Sequence, residues 1–183
     1  MLTVIAPVYL PSYPVLTLLP SLLAQTDEDW EAILIHDGPA PTWEWLIKTF
    51  PDPRVRYRSS RERIGNWGHS LRAAAIEEQL NGRYVWLSNG DNYACPDLVS
   101  RVNRETADVV AFPILHNTYD YTLLHPSLEL GHIDLCQLAV RVDLVKEIGF
   151  PWLHHSADFL WVQELAKRTS SWVFLDSALA VHN

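Results

Sequence analysis

Residues 83–97, RYVWLSNGDNYACPD, run an apolar segment straight into a cluster of polar groups, and the rest of the chain is read outward from them. Tyr84, Val85, Trp86 and Leu87 are aromatic, β-branched or large aliphatic, which favours a strand; Gly82 before them and Asn89-Gly90 after them are turn formers. A buried strand that stops on a tight loop is expected. In open α/β sheets ligands gather beyond the carboxyl ends of the strands, where Asn89, Asp91 and Asn92 would stand. An aspartate beside a permissive glycine at such an edge can reach a hard divalent cation that also holds phosphate oxygens. Asn, Gly and Asp equally dominate plain turns, so these few residues carry both readings.

The same grammar recurs along the chain. LTVIAPV (2–8) reads as a buried first strand, followed by a loop and a helix from Ser12 to about Gln25, with Pro14 in its first turn, Leu16, Leu19, Leu22 and Leu23 on one face, and Pro20 expected to bend or split it. A second strand, 30–35, ends on His36-Asp37-Gly38-Pro39, again a carboxylate at a strand end. Pro41 opens a short helix through Trp43, Trp45, Leu46 and Ile47, and RVRYR (54–58) reads as a peripheral strand. A helix is expected over 66–80, with Trp67, Leu71, Ala74, Ala75 and Ile76 on one face, and another over 96–104. ADVVAFPIL (107–115) and HIDLCQLAV (132–140) read as strands flanking a loop or irregular hairpin, and helices follow at 141–148 and, capped by Ser156, at 157–168. WVFLD and ALAVHN close the chain as two short strands. Strands alternating with helices, without a linker or repeat, predict one three-layer α/β domain.

Composition narrows the function classes. At 183 residues, 48% hydrophobic and 20% charged, the chain has enough apolar material for one proper core. Its apolar runs are short and broken by proline, and MLTVIAPVYLPSYP lacks a basic leader, so neither a signal peptide nor a transmembrane segment is expected, and the cytoplasm is the default location. Cys95 and Cys136 show no metal or redox spacing and read as reduced thiols. A net charge of −8 argues against nucleic acid as a partner. Against that background Arg54, Arg56, Arg58, Arg61 and Arg63 crowd into ten residues, either as a site for an anionic small ligand or as a solvated strand edge.

Taken together, the opening VIAPVYLPSYPVLTLLPSLLAQT, the strand end IHDG, the segment RERIGNWGHSLRAAAIEEQLNGRYVWLSNGDNY, the run IDLCQLAVRVDLVKEIGF, the helix start SADFLWVQEL and the terminal VHN resemble the inverting family 2 glycosyltransferases of the GT-A fold. The resemblance covers nearly the whole chain and rests on order and spacing. It implies a three-layer α/β GT-A (nucleotide-diphospho-sugar transferase, Rossmann-like) fold with a mostly parallel central sheet. It also implies a single domain over 1–183, with a nucleotide-binding half of about 1–93 and an acceptor-side half of about 94–183. By the same resemblance Pro7, Val8 and Tyr9 lie at the donor base, Asp37 at the base or ribose, and Arg63, Gly65 and Asn66 where the family closes over the nucleotide, with Asn89 and Gly90 also on the donor side. Asp91 matches the last aspartate of the metal-binding DxD signature, His182 a histidine that completes the metal site, and Asp158 the catalytic base.

These roles suit the chemistry. Loss of a nucleoside diphosphate develops negative charge that a divalent cation, Mn²⁺ or Mg²⁺, stabilises, and inversion needs a carboxylate within reach of the acceptor's proton. The expected function is metal-dependent, inverting transfer from a nucleoside-diphosphate sugar, with a UDP-sugar as the expected donor, to a hydroxyl of a carbohydrate or other acceptor. Two departures point to an alternative, a catalytically weak sugar-nucleotide-binding or scaffold module. Asn89 replaces the first acidic residue of the signature, and the sequence stops right after His182, which suggests a homo-oligomer or partner domain covering that end. A sugar-phosphate nucleotidyltransferase would want a glycine-rich loop after the first strand, and VYLPSYP has none.

Overall fold

The computed structural model describes residues 1–9, 15–39, 45, 48–49, 51–129 and 132–183. Its centre is a seven-stranded sheet in the order β10-β6-β9-β4-β1-β2-β3. These strands are β1 (Leu2–Val8), β2 (Trp30–His36), β3 (Val55–Ser59), β4 (Tyr84–Leu87), β6 (Val109–Ala111), β9 (Leu138–Arg141) and β10 (Trp172–Phe174). All neighbouring pairs are parallel except the two made by β9, which runs against β4 and β6. Alternation along β1 shows why its sequence is continuously apolar. Leu2, Val4, Ala6 and Val8 enter one core while Ile5 enters the other, so both faces of the sheet are covered.

Helices α1 (Val15–Leu23) and α3 (Leu98–Arg104) pack on the first face through Leu18, Leu19, Leu22, Leu98, Val99 and Val102. On the second lie α2 (His69–Ile76), α4 (Val142–Ile148) and α5 (Ala157–Arg168), through Leu71, Ile76, Val145, Trp161 and Leu165. A second sheet, β5-β11-β7-β8, is built from β5 (Tyr93–Ala94), β7 (Ile114–His116), β8 (Thr122–Leu124) and β11 (Ala180–His182). It sets the end of the described chain beside the β4–β5 loop. Among the described residues no helix is long and apolar enough to cross a membrane.

Several local expectations are corrected. The helix after Gly65 starts three residues late, because Asn66 and Trp67 hold positive φ values of 43° and 55°; Trp67 and Ala74 are exposed rather than on the core face. Helix α1 continues through Pro20, and Leu18 takes the buried place expected of Leu23. Segment 107–115 splits at Phe112-Pro113 into β6 and β7, which belong to different sheets. The first half of 132–140 is a 3-10 turn, since Asp134 and Gln137 form a reciprocal capping box. Ser156 makes no side-chain cap bond to α5. Ser12, Pro14 and the helix expected from Pro41 through Trp43, Leu46 and Ile47 lie outside the described residues. Both cysteines are free thiols, as expected.

Candidate functional site

The carboxyl ends of β1, β2 and β4 open onto a cavity of about 540 Å³ lined by Pro7, Val8, Tyr9, Asp37, Arg63, Gly65, Asn66, Trp67, Gly68, Asn89, Gly90 and Asp91. Backbone bonds gather these strand ends: Gly90 N–H donates to the Pro7 carbonyl at 3.0 Å and Asp37 N–H to the Val8 carbonyl at 2.8 Å. Gly90 must be glycine, because a Cβ there would stand 2.7 Å from a Val8 methyl. Asp37 is buried and accepts from the Ile64 N–H at 2.7 Å and the Gly65 N–H at 2.8 Å, so its carboxylate pins the 60s loop over the cavity. The Arg63 guanidinium lies 3.8 Å from the centre of the Tyr9 ring and lines the cavity with it.

Three other arginines of the basic run are engaged elsewhere. Arg54 pairs with Asp52, Arg56 with Glu31 and Glu78, and Arg58 with Glu78. At those three the strand-edge reading holds, and Arg63 is the arginine of the run that lines the cavity.

A buried cation organises the floor. Arg72, on α2, is 4% exposed; its guanidinium donates to the Asn89 side-chain oxygen, to the Trp67 carbonyl at 2.9 Å and to the Ser88 carbonyl at 3.3 Å. It also meets Nδ1 of His69 at 3.3 Å, while the His69 ring hydrogen-bonds the His154 backbone, which anchors the loop before α5. Burial and the Arg72 charge push His69 down to about 4, so this ring is neutral. Burial alone would weaken Arg72 as a cation, and the carboxylates of Asp158, Asp134 and Asp91 offset it.

Those three carboxylates form the chemical end of the site. Asp158, in the first turn of α5, is pushed up from 3.8 to about 7, first by burial and then by the negative charge of Asp134; a backbone bond from Leu135 and the charge of Arg72 act the other way. Asp91 is raised by burial, with His182 and Arg72 opposing the shift. Asp134 accepts from the Cys136 N–H at 2.8 Å and lies 3.6 Å from Nε2 of His182. His182 stacks on His116 at 4.2 Å and 5°, a consequence of facing positions on parallel strands β11 and β7. Ligand atoms of His116, Asp134 and His182 all lie within 4.8 Å of one another. Asn183 donates to the Asp91 carbonyl at 2.7 Å, tying β11 to the β4–β5 loop.

The donor-side residues expected from sequence thus line one cavity, with Asp91 at its edge. His182 was expected to pair with Asp91, but it gathers with Asp134 and His116 in a cluster that does not include Asp91, and Asp158 stands beside Asp134. Sequence reading missed Trp67 and Gly68 as lining residues, and Arg72, His116 and Asp134 altogether. The signal available for Asp134 was D-x-x-Q, a capping-box spacing at odds with a strand.

A divalent cation fits this end on the chemistry of the groups present. Three carboxylates face one guanidinium, Asp91 is desolvated, and Nδ1 of His182 is buried without a hydrogen-bond partner. Mixed imidazole and carboxylate donors suit Mn²⁺ better than Mg²⁺.

Comparison with known proteins places these features. The family model for glycosyl transferase family 2 matches residues 3–156. Crystal structures of S. aureus TarS 1-349 superpose on 98–100% of this chain. One matches at 17% identity and a TM-score of 0.78, covering 100% of this chain and 60% of that one. Another, in complex with UDP-GlcNAc, matches at 16% identity and a TM-score of 0.80, covering 98% and 57%. A third, in complex with UDP, matches at 16% identity and a TM-score of 0.79, covering 98% and 59%. The chain therefore spans somewhat over half the length of those TarS structures. A search of curated proteins gives no match.

Proposed function

Because this chain belongs to glycosyl transferase family 2 and has its GT-A fold, we propose that it transfers a sugar, with inversion, from a UDP-sugar to an acceptor hydroxyl. The observation that carries the reading is the cavity at the strand ends, edged by Asp91, with the desolvated carboxylate of Asp158 near Arg72 and Asp134. The nucleotide lies along Pro7, Val8 and Tyr9, with Asp37, Arg63, Gly65 and Asn66 closing over it and Asn89 and Gly90 beneath the diphosphate. Asp158 takes the acceptor's proton as its oxygen attacks the anomeric carbon from the face opposite the leaving nucleotide. A pKa near 7 suits that task, since a base works best when its pKa lies near the working pH. Arg72 opposes the upward shifts of Asp158 and Asp91 and fixes Asn89.

Asp91 and His182, with Asp134 and His116 beside them, would hold Mn²⁺ or Mg²⁺, which supplies charge stabilisation to the departing diphosphate. The nucleotide-binding half is about 1–93 and the acceptor side about 94–183, with the cytoplasm as location. A binding module without efficient turnover is favoured by one observation, that the Asn89 oxygen is already engaged by Arg72. Calorimetry with UDP, with and without Mn²⁺, followed by a donor-hydrolysis assay, tests the proposal. Mn²⁺-dependent binding with turnover, lost together in Asp91→Ala, is the expected result; binding without turnover gives the module, and no binding overturns both.

A further inference from the structure

We propose that Trp67 is the platform on which the apolar face of the donor's hexose ring lies, and hence a specificity residue of the site. This rests on the reading of the cavity as a nucleotide-sugar site. Trp67 lines that cavity, is 62% exposed, and holds a left-handed φ of 55° that bulky side chains avoid. Its surroundings enforce this conformation. Gly68 at φ 76° is pressed on Pro7, where a Cβ would stand 2.5 Å from the proline Cβ, and Arg72 holds the Trp67 carbonyl at 2.9 Å. Strained backbone that presents a large apolar ring to an open cavity contributes nothing to the core, and such strain clusters at ligand sites.

Location selects the ligand. The Tyr9–Arg63 pair and Asp37 offer a ring, a cation and a carboxylate that suit a base and ribose. Trp67 lines the same cavity and reaches toward the loop before α5. Its indole meets the ring of His155 edge-on at 6.0 Å, three residues before Asp158, and the ring of His69 at 6.1 Å. His69 stacks on Phe150 at 5.1 Å, and Phe150 on Trp161 at 6.4 Å, one turn beyond Asp158 on α5. The indole is thus braced by rings leading to the helix of the base while much of its surface remains open. Between base end and Asp158 a UDP-sugar places its pyranose, whose C–H face is apolar and flat enough to cover an indole.

Calorimetry with Mn²⁺ on the full chain separates the possibilities, comparing UDP, UDP-glucose and UDP-GlcNAc on wild type, Trp67→Ala and Trp67→Phe. For whichever sugar nucleotide the wild type binds more tightly than UDP, Trp67→Ala should weaken binding about tenfold and leave UDP within about twofold, with Trp67→Phe recovering most of the loss. An unchanged melting temperature is expected, since the indole is mostly exposed. Equal weakening of UDP and UDP-sugar overturns the assignment, placing Trp67 on the uracil. So does a wild type that gains nothing from either sugar, or donor binding that ignores the substitution, as an acceptor contact would give. A wild type that binds no nucleotide removes the underlying functional reading as well, and is recognised by the UDP titration alone.

Discussion

If Asp158 takes the acceptor's proton, lowering the pH from 8 to 6 should switch the protein off, because burial and the neighbouring charge of Asp134 place its pKa at about 7. Such a group is ionised to about nine-tenths at pH 8 and about one-tenth at pH 6, so kcat/KM should fall about tenfold over that span and tenfold per unit below it. Asp134→Asn removes the second cause of the shift and should move this acid limb to lower pH. Asp158→Asn should abolish the limb and cost about 10²–10⁴ in kcat while leaving UDP affinity intact, since the base acts only in the transition state. The same shift has a stability consequence of definite sign. The folded pKa is raised above the unfolded value, so the native protein retains a proton the unfolded chain releases, and stability declines as pH rises from about 4 through about 7. Asp158→Asn should therefore raise the melting temperature at pH 8 and leave it unchanged at pH 4. A flat rate profile between pH 6 and 8, or wild-type kcat in Asp158→Asn, would refute the assignment.

Two further outcomes follow from the loop over the cavity. Asp37→Ala strands the N–H groups of Ile64 and Gly65, so it should weaken UDP binding at least tenfold by calorimetry and cost about 1.5–3 kcal/mol in urea unfolding. Unchanged UDP affinity would show that the loop does not need this anchor. Gly68→Ala combines a left-handed backbone with a Cβ 2.5 Å from Pro7, and should cost about 2–5 kcal/mol. Gly65→Ala meets nothing within 4 Å and should cost only the conformational part, about 1–3 kcal/mol. If the two unfold alike, the contact with Pro7 is not tight.

Much of this site was legible because the sheet is buried on both faces. Continuous apolar runs mark β1, β2 and β4, and whatever polar residues stop them must stand at the carboxyl edge, which located Asp37 and Asn89 to Asp91, while Pro7, Val8 and Tyr9 were marked by the family resemblance. Legibility failed where local chemistry overrode periodicity. Trp67 fits a helical stripe by spacing, yet glycines at 65 and 68 and the hold of Arg72 on its carbonyl turn it out into the cavity. Arg72 offered no signal, since a lone arginine on an amphipathic helix reads as surface until its burial is seen. His116 became visible only through strand register, which pairs it with His182 across 66 positions of sequence.

The replacement of the first signature aspartate by Asn89 leads to a last prediction that runs against simple restoration. Restoring the carboxylate, Asn89→Asp, would be expected to strengthen the metal site if the position faced the cation freely. Here the side-chain oxygen of residue 89 already accepts from Arg72, which is 4% exposed and, among the described residues, otherwise meets carbonyl oxygens and a neutral histidine at hydrogen-bond range. A carboxylate placed there would pair with that guanidinium, and a buried ion pair with good geometry neutralises most of its own field. Mn²⁺ affinity in Asn89→Asp should thus stay within about threefold of wild type, and the melting temperature should not fall, because the new charge is compensated where it is made. Arg72→Leu in the Asn89→Asp background frees the carboxylate. There Mn²⁺ should bind at least about tenfold more tightly than to Arg72→Leu alone, a coupling that only a double-mutant cycle exposes. Ten-fold tighter Mn²⁺ binding in the single Asn89→Asp variant would mean that Arg72 does not hold residue 89, and that the asparagine simply weakens the metal site.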